Sequence, residues 1–439
     1  MRVPNGCRFV ALVQSPGYIH HMRGCILAIL AFAVPSSAYA QTAMPYAVVF
    51  DSYMTPVAGA QGLVTAQHLS AAAEDRWLPL KLGTERTRSS LALGILYRSG
   101  KFLGLDMPQD HFLMVVAHEV FGHGARFREL GEGSLRYGFD VPIPYGSGDA
   151  FTRFNGSFPI SPLANMNASA AGIEAQHSLA DAISERAVDR GRMHYREAWL
   201  YFESRMTAVT YILSASSTST EGHDPSDFLH AFHEACTTPC VPPTRHDVQQ
   251  RSLLALADPL LYYALYGLTV SYIGNGSTTG PMPLIPVGGG VRIMPSLGYT
   301  LVPYGTEWTL RTAVQHEEQA RSEARRITNV TLRIGDTGAS STWGIGVRAA
   351  DVLRVRGLSI DLSVEAWRQP ELLADKTSDP QHTGASAIGT VILPMPGALR
   401  SRWSEGILIS AGYKSQGFVP GEQLSGGGVI RAGITMSPR

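Results

Sequence analysis

The stretch "GLSIDLSVEAW", residues 357–367, determines how the second half of the chain folds. Its apolar and polar side chains alternate, which places each set on one face of a β-strand. The apolar set is Leu358, Ile360, Leu362, Val364 and Ala366, and the polar set is Ser359, Asp361, Ser363 and Glu365. The same period recurs in "TWGIGVRA" (342–349) and "VIRAGITM" (429–436). Roughly eight such strands fit into residues 281–439 without a helix-length gap, which predicts an antiparallel meander.

The alternation leaves open which face of this sheet meets water. A soluble sandwich turns its apolar face inward, whereas an outer-membrane barrel turns that face outward to lipid. Charged residues make up only 16% of the chain and Gly numbers 45, which is lean in charge for a soluble enzyme. Together with the export signal described below, this composition favours a barrel of roughly eight strands that contacts the membrane.

Residues 41–280 carry the spacing of helices rather than of strands. Apolar residues recur at helical intervals in "DHFLMVVAHEVFGHGARFREL" (110–130) and "ASAAGIEAQHSLADAISERAVDR" (168–190). A further candidate, "DPLLYYALYGLTVSYI" (258–273), is rich in tyrosine, which favours a buried or interfacial helix over a membrane span. The break "GNGSTTGPMP" (274–283) separates the two halves. We therefore predict an α+β multidomain chain in which a helical domain precedes the β domain.

The N-terminus has the features of a cleaved export signal. Arg23 precedes an apolar run over 26–34, and "PSSAYA" places small residues before a cleavage point after Ala40. The apolar run is too short to cross a bilayer. Residues 1–40 are therefore predicted to be a signal peptide, with Met1 or Met22 as the start. The mature protein would lie in the envelope of a Gram-negative-type bacterium, at the outer membrane or in the periplasm.

Cys236 and Cys240 are the only cysteines left after this cleavage. In an exported chain, "CTTPC" is most simply a small disulfide loop. A metal pair is the alternative, but no second cysteine pair exists to complete a four-sulfur site. The formal net charge of zero gives no electrostatic reason to expect a nucleic-acid partner.

The string "HEVFGH", residues 118–123, is the strongest candidate for chemistry. Two histidines four apart on a helix can reach one ion, but five apart they lie about 140° from each other. A single-turn π-bulge would return His123 to the face of His118, because its hydrogen bonds span five residues. Gly122 lacks the side chain that would oppose this distortion. The sequence thus predicts a π-bulge at the motif.

The residue types fit a zinc site. Neutral imidazoles are common Zn²⁺ ligands, and a glutamate beside the first of them can accept a proton from activated water. Either histidine could instead be a core residue bonded to a backbone carbonyl. Two histidines and a glutamate in an otherwise apolar helix are, however, costly to bury without a ligand. This cost favours metal binding by His118 and His123, with Glu119 as general base.

"HEVFGHG" resembles the HEXXGH signature of the dipeptidyl peptidase III family, a gluzincin variant among zinc peptidases. The resemblance covers seven residues and implies shared site chemistry rather than dipeptidyl specificity or the large architecture of that family. It implies that His118 and His123 are zinc ligands and that Glu119 is the general base. It also implies a third ligand, a glutamate supplied by a later helix.

The helix predicted over 168–190 offers candidates for this third ligand. Glu174 is favoured, because it lies among small residues and follows His123 at a separation similar to that in the family. His177, Asp181 and Glu185 would orient it, and His177 is the first alternative as ligand. At about 100° per residue, Glu174, Asp181 and Glu185 share one face, which a solvated acidic helix face would also explain. The second motif of the family starts with two adjacent glutamates, whereas this chain has a single glutamate, Glu174, at that place.

Several other polar residues stay unassigned. His177, His194, Tyr195 or Tyr145 could donate to an oxyanion, although each type is more often structural. The segment "GHDPSDFLHAFH" (222–233) carries His223, His230 and His233. These histidines could form a second metal site, but surface histidines are the simpler interpretation. We name none of these residues as catalytic.

The prediction from sequence is an exported zinc-dependent peptidase that acts on a peptide or protein and contacts the membrane through its β domain. The alternative is a non-enzymatic outer-membrane barrel, whose helical half holds a structural metal or binds a partner. A zinc hydrolase that acts on a non-peptide amide is also compatible, because the motif specifies the attacking water and not the substrate.

Overall fold

The computed structural model describes most of the chain after residue 43. The described residues are 44–77, 88–131, 133–140, 150–156, 160–216, 222–236, 240–317, 325–355, 358–372, 381–395 and 403–438. They all belong to one compact unit, Tyr39–Arg439. The predicted signal peptide and Tyr145 lie outside the described residues. The boundary between two domains at residue 280 stays a prediction.

Helices occupy the first half of the chain, as the spacing predicts. They are α1 (Pro56–Trp77), α2 (Arg88–Lys101), α3 (Met107–Val116), α4 (Gly124–Leu130), α5 (Pro162–Arg190), α6 (Tyr195–Leu213), α7 (Asp224–Ala235), α8 (Arg245–Ser252) and α9 (Pro259–Tyr266). π-Helical turns join or extend them at Phe102–Asp106, Ala117–His123 and Gly267–Gly274, and a 3₁₀ turn follows α8 at Leu253–Ala257. No single helix in the described part of the chain is long and apolar enough to cross a membrane; one pair bent by 60°, Arg245–Ala257 with Pro259–Gly274, meets the length and composition test together.

Helix α5 is the longest helix and the centre of the helical half. Its start is set by Ser161, whose side chain accepts a hydrogen bond from the Ala164 N–H at 3.1 Å, and by Pro162 in the first turn. It ends at Gly191, which adopts the left-handed conformation with φ of 65°. Most of its side chains are buried, and Leu179 and Ile183 belong to the main hydrophobic core.

The second half, together with one strand from the first, forms one large antiparallel sheet. Its strands are β1 (Tyr46–Phe50), β6 (Ile285–Gly288), β7 (Val291–Val302), β8 (Gly305–Glu317), β9 (Arg325–Asp336), β10 (Ser341–Val355), β11 (Leu358–Gln369), β12 (His382–Pro394), β13 (Trp403–Lys414) and β14 (Gly427–Pro438). The order is β1-β14-β13-β12-β11-β10-β9-β8-β7-β6. Two small pairs stand apart: β2 (Gly133–Phe139) with β3 (Ala150–Gly156), and β4 (Arg192–His194) with β5 (Thr279–Pro281).

The predicted meander is thus present, and the expectation of roughly eight strands is corrected to ten. The eight long strands β7–β14 follow the sequence pattern. The short strand β6 extends one edge, and β1, which comes from the helical half, pairs with β14 at the other. Within the described residues no pairing links β6 to β1, so the closed barrel expected from the sequence is not observed.

Burial shows which face of the sheet is covered. On β10, the side chains of Trp343 and Ile345 are 45% and 44% exposed, whereas their neighbour Thr342 is buried. The buried face carries polar and charged residues, among them Glu307, Arg333 and Lys414. The apolar stripe recognised in the sequence therefore lies on the outer face of the sheet, and the polar stripe lies on the inner face.

Helix α5 packs against this polar inner face. The Arg311 guanidinium is 3.2 Å from carboxylate oxygens of Asp181 and Glu185, and Arg348 is 3.0 Å from Glu185. A cavity of about 250 Å³ lies between α5 and the inner side chains of β1 and β7–β14. The acidic face of the helix is therefore ion-paired to the sheet rather than solvated.

The sulfur atoms of Cys236 and Cys240 lie at disulfide-bonding distance, with the two Cα atoms 5.4 Å apart. The bond closes a short loop after α7. Val241, which follows Cys240, donates its N–H to the Gly338 carbonyl at 2.9 Å, in the turn between β9 and β10. The predicted disulfide is confirmed, and it fixes the end of α7 near the sheet.

Candidate metal centre

The motif HEVFGH lies on a π-helical turn. Residues Ala117–His123 form a π-helix between α3 and α4, as the spacing of the histidines requires. The rings of His118 and His123 lie on the same side of this turn, with centroids 4.8 Å apart. The predicted π-bulge is therefore confirmed.

Two glycines let α5 lie against this turn. A Cβ atom on Gly122 would come within 2.6 Å of the Ala171 carbonyl oxygen. A Cβ atom on Gly172 would overlap the ring of His118. From the sequence, a glycine at 122 is expected because it eases the distortion of the helix. The structure adds a second reason, since the backbone of the π-helical turn contacts the backbone of α5 at this point.

The two histidines converge on a single carboxylate oxygen. Oδ2 of Asp224 lies 2.9 Å from His118 Nε2 and 3.1 Å from His123 Nε2. Ligand atoms around a tetrahedral Zn²⁺ with bonds of about 2.0–2.1 Å are about 3.3 Å apart. The two distances from Oδ2 to the Nε2 atoms are therefore close to the spacing between ligands of one ion. All three side chains are mostly buried, with at most 14% of the side chain exposed.

The other ring nitrogens leave the two Nε2 atoms available. His123 Nδ1 lies 2.7 Å from the Ala168 carbonyl oxygen, which fixes the ring by accepting the Nδ1 proton. Metal-binding histidines are commonly held in this way by a backbone carbonyl. His118 Nδ1 is buried and has no hydrogen-bond partner among the described residues.

The electrostatics of the centre favour a cation. Burial lowers the pKa of His123, but the Asp224 charge and hydrogen bond outweigh it and raise that pKa to about 9. Burial raises the pKa of Asp224, yet the two histidines hold it well below the usual range of a carboxyl. The Asp224 carboxylate is thus stabilised by positive charge on His123, and a metal ion held by the two Nε2 atoms and Oδ2 would take over this role.

Glu119 lies beside this point. His118, Glu119 and His123 each present one ligand atom, and these atoms all lie within 4.8 Å of one another, so this group can hold a metal ion. The carboxylate oxygen Oε2 of Glu119 accepts a hydrogen bond from Thr152 Oγ1 at 2.7 Å. Thr152 belongs to β3, so the β2–β3 hairpin orients the glutamate.

The structure places Glu174 elsewhere. Both of its carboxylate oxygens accept hydrogen bonds from Arg126, at 2.8 and 2.7 Å, and one also accepts the Gly421 N–H at 2.7 Å. Helix geometry explains this, because Gly172 faces His118 and Glu174 lies about 200° further round the helix. The geometry therefore gives Glu174 a guanidinium partner and gives the histidines Asp224.

The residues predicted to surround the third ligand also lie away from the histidines. Asp181 and Glu185 bind arginines of the sheet and of α6, and His177 lines the cavity beside them. His194 caps α6, and its Nδ1 accepts the Arg196 N–H at 3.4 Å. The Tyr195 hydroxyl donates to Asp106 at 2.8 Å.

The remaining histidines have structural or surface positions. His223 caps α7, and its Nδ1 lies 2.8 Å from Ser226 Oγ. His230 is more than half exposed and lies 3.4 Å from Glu234, its neighbour one helical turn on. His233 is exposed as well. The interpretation of this segment as carrying surface histidines fits these positions better than a second metal site does.

Asp224 is the residue that the sequence argument missed. It follows His123 by more than 100 residues and lies in the segment whose histidines were interpreted as surface residues. One local signal was available, because "HDPSD" places an acid and a proline at the start of a helix. The Asp224 N–H donates to the Tyr211 hydroxyl at 3.1 Å, and this contact ties the start of α7 to α6.

Comparisons of the chain with models of protein families, with curated proteins and with solved structures find no match. The resemblance to HEXXGH peptidases therefore stays limited to the motif. What the structure shows is the His/Glu/His group itself, which can bind a metal ion of unspecified identity.

Proposed function

We propose that this protein is a zinc-dependent hydrolase that cleaves peptide bonds. The observation that carries the proposal is the convergence of His118 Nε2, His123 Nε2 and Asp224 Oδ2, with Glu119 beside them. Two imidazoles and a carboxylate form a common protein ligand set for catalytic zinc and leave a fourth position open. Asp224 replaces Glu174 as the proposed third ligand.

Each residue has a defined part in this proposal. His118, His123 and Asp224 hold the ion, and the Ala168 carbonyl keeps the His123 ring in place. A bound Zn²⁺ supplies Lewis acidity, which makes water a stronger acid and polarises a carbonyl. Glu119 accepts a proton from the attacking water and returns it to the leaving amine. Because Thr152 engages Oε2, we assign the proton transfer to Oε1.

The test is metal analysis combined with a peptide-hydrolysis screen. We expect the purified chain to bind zinc in equimolar amount and to hydrolyse peptides in a chelator-sensitive reaction. Glu119→Gln should keep the zinc and lower hydrolysis by at least about 100-fold, the lower end of the range for a lost general base. Turnover that survives in Glu119→Gln would remove this residue from the base role. A zinc-loaded protein without any hydrolytic activity would contradict the proposed hydrolase function.

The position of Glu119 supports a second candidate, a non-enzymatic protein with a structural metal. If Glu119 binds the ion as a fourth ligand, the site has no open position, as is usual for structural zinc. Glu119→Gln separates the two functions. Loss of zinc together with a lower melting temperature would favour the structural site, whereas retained zinc would favour the hydrolase.

We also propose that the mature chain is exported. The export signal predicted over 1–40 and the Cys236–Cys240 disulfide support export, since stable disulfides are typical of oxidising compartments. The mature protein should begin at Gln41 on N-terminal sequencing of material from the cell envelope. An uncleaved N-terminus would contradict the export signal.

A further inference from the structure

The sheet buries its polar face and exposes its apolar face, which is the reverse of the arrangement in a soluble protein. Charged side chains such as Glu307, Arg333 and Lys414 are buried on its inner face, with no more than 1% of each residue exposed. The outer face presents large apolar side chains that are each at least 38% exposed. They are Leu310, Leu332, Ile334, Trp343, Ile345, Leu353, Leu362, Leu393, Ile407, Ile409, Tyr413, Ile430 and Ile434. Soluble proteins rarely expose so large a continuous apolar surface.

These outer side chains form a continuous belt across the strands. Leu310 pairs with Leu332, and Leu332 pairs with Ile345, so three neighbouring strands present aliphatic groups side by side. Ile407 and Ile434 continue the belt across β13 and β14. Because side chains alternate along a strand, the other outward positions follow from these.

Ionic residues on the outer face lie at strand ends. Asp336 is the last residue of β9, Arg368 is the last but one of β11, and Glu405 lies near the start of β13. Aromatic residues lie towards the end of the sheet that holds Asp336 and Arg368, where Trp343 pairs directly with Arg368. An apolar band bordered by aromatic and ionic residues is the pattern of a surface that crosses from hydrocarbon into water.

The strands have the length that a bilayer requires. The strands β7–β14 contain 12 to 15 residues. Twelve residues extend about 40 Å and cover about 28 Å when tilted by about 45°, close to the thickness of the hydrocarbon core. The strands inside the sheet also pair on both sides, which satisfies their backbone groups without water.

We propose that the outer face of β8–β14 is immersed in the hydrocarbon of a lipid bilayer. A protein partner would have to wrap round seven adjacent strands to cover the same belt, whereas lipid covers it without any specific fit. This inference is independent of the metal centre, because none of the proposed ligands belongs to the sheet. The partner is therefore a lipid surface, and the helical half is carried by a sheet embedded in the membrane.

The first experiment uses tryptophan fluorescence in vesicles of phosphatidylethanolamine and phosphatidylglycerol with brominated acyl chains. Bromine quenches an indole that it contacts. Trp343 lies on the outer face, whereas Trp367, on the next strand, is fully buried on the inner side. We expect the full chain to be quenched, Trp343→Phe to lose a quenched component, and Trp367→Phe to keep it. Equal quenching in all three proteins would overturn the proposal.

A second pair of variants introduces charge on one strand. Ile409 and Glu405 lie on the same face of β13, in the belt and near its border. We expect Ile409→Lys to lose vesicle insertion and Glu405→Lys to retain it. Equal insertion of the two variants would contradict a lipid-facing belt. A chain that stays monodisperse in detergent-free buffer and is excluded from vesicles would also overturn it, and would assign the face to a protein or a second copy.

Discussion

Helix α5 separates two buried polar clusters that differ in one respect. On one side, Asp224 and Glu119 meet two imidazoles, and no arginine or lysine bonds to either carboxylate among the described residues. On the other side, Glu174 is paired with a guanidinium, that of Arg126. A buried carboxylate needs a positive partner. The first cluster lacks a permanent one, so its geometry favours an added cation, whereas the second is complete.

The largest expected difference between the clusters concerns zinc. Asp224→Asn removes one proposed ligand charge, so zinc content after dialysis at a fixed free-zinc concentration should fall from about one ion per chain to near zero. Glu174→Gln is the matched control, since it neutralises a carboxylate that is also buried but lies outside the centre. Its zinc content should stay unchanged. The reverse pattern would return the third-ligand role to Glu174.

The next prediction concerns how much the cluster around Arg126 and Glu174 contributes to the free energy of unfolding. Arg126, Glu129 and Glu174 are each only 3% exposed, so Arg126→Met removes the cationic partner of two buried carboxylates. The free energy of unfolding should decrease by about 3–5 kcal/mol. Arg251→Met breaks a solvent-exposed pair with Asp336 and should cost no more than about 1 kcal/mol. Chemical denaturation of both variants measures the difference, and equal losses would show that burial does not set the cost.

The contact between α5 and the motif can be tested with two glycines inside helices. Gly172→Ala places a methyl group against His118, so it should destabilise the fold by about 1–3 kcal/mol and weaken zinc binding. Gly62→Ala lies in α1, where a Cβ meets nothing within 4 Å, and should instead stabilise the protein by about 0.5–1 kcal/mol. Melting temperatures of the two variants that move in the same direction would contradict the close approach.

The comparison of the two clusters also shows how far the sequence alone can lead. The strand pattern and the π-helical turn depend on local spacing, and both could be predicted from residues such as His118, Gly122 and Ile360. The third ligand depends on which turn of α5 faces the motif. Glu174 lies in the helix that packs against the motif, but on the side away from the histidines, and Asp224, the proposed ligand, comes from the start of a distant helix. Periodicity predicts faces within an element, but not which elements meet.

The choice between a wet and a lipid-facing stripe is limited in the same way. The alternation of "GLSIDLSVEAW" identifies two faces, and its polar set is the set that points to α5 in the structure. Nothing local reveals this, because arginines of the inner face pair with carboxylates that the distant helix α5 brings to it. The strand β1 was not predicted because its five residues are too few to show a periodic pattern.

The smallest expected effect concerns the histidine that caps α6. Burial lowers the pKa of His194 to about 4, and neighbouring arginines add to the decrease while Glu197 opposes it. Because the folded pKa lies below the ordinary value of about 6.5, the unfolded chain binds the proton first, and stability decreases as the pH falls from about 6.5 towards 4. His194→Asn keeps an N-cap acceptor without a titrating group, so the melting temperature should fall less steeply across this window.

His68 has its pKa lowered by burial as well, so part of the slope should remain. The exposed His230→Asn is the control, and a slope that changes equally in both variants would show that burial of His194 is not its cause.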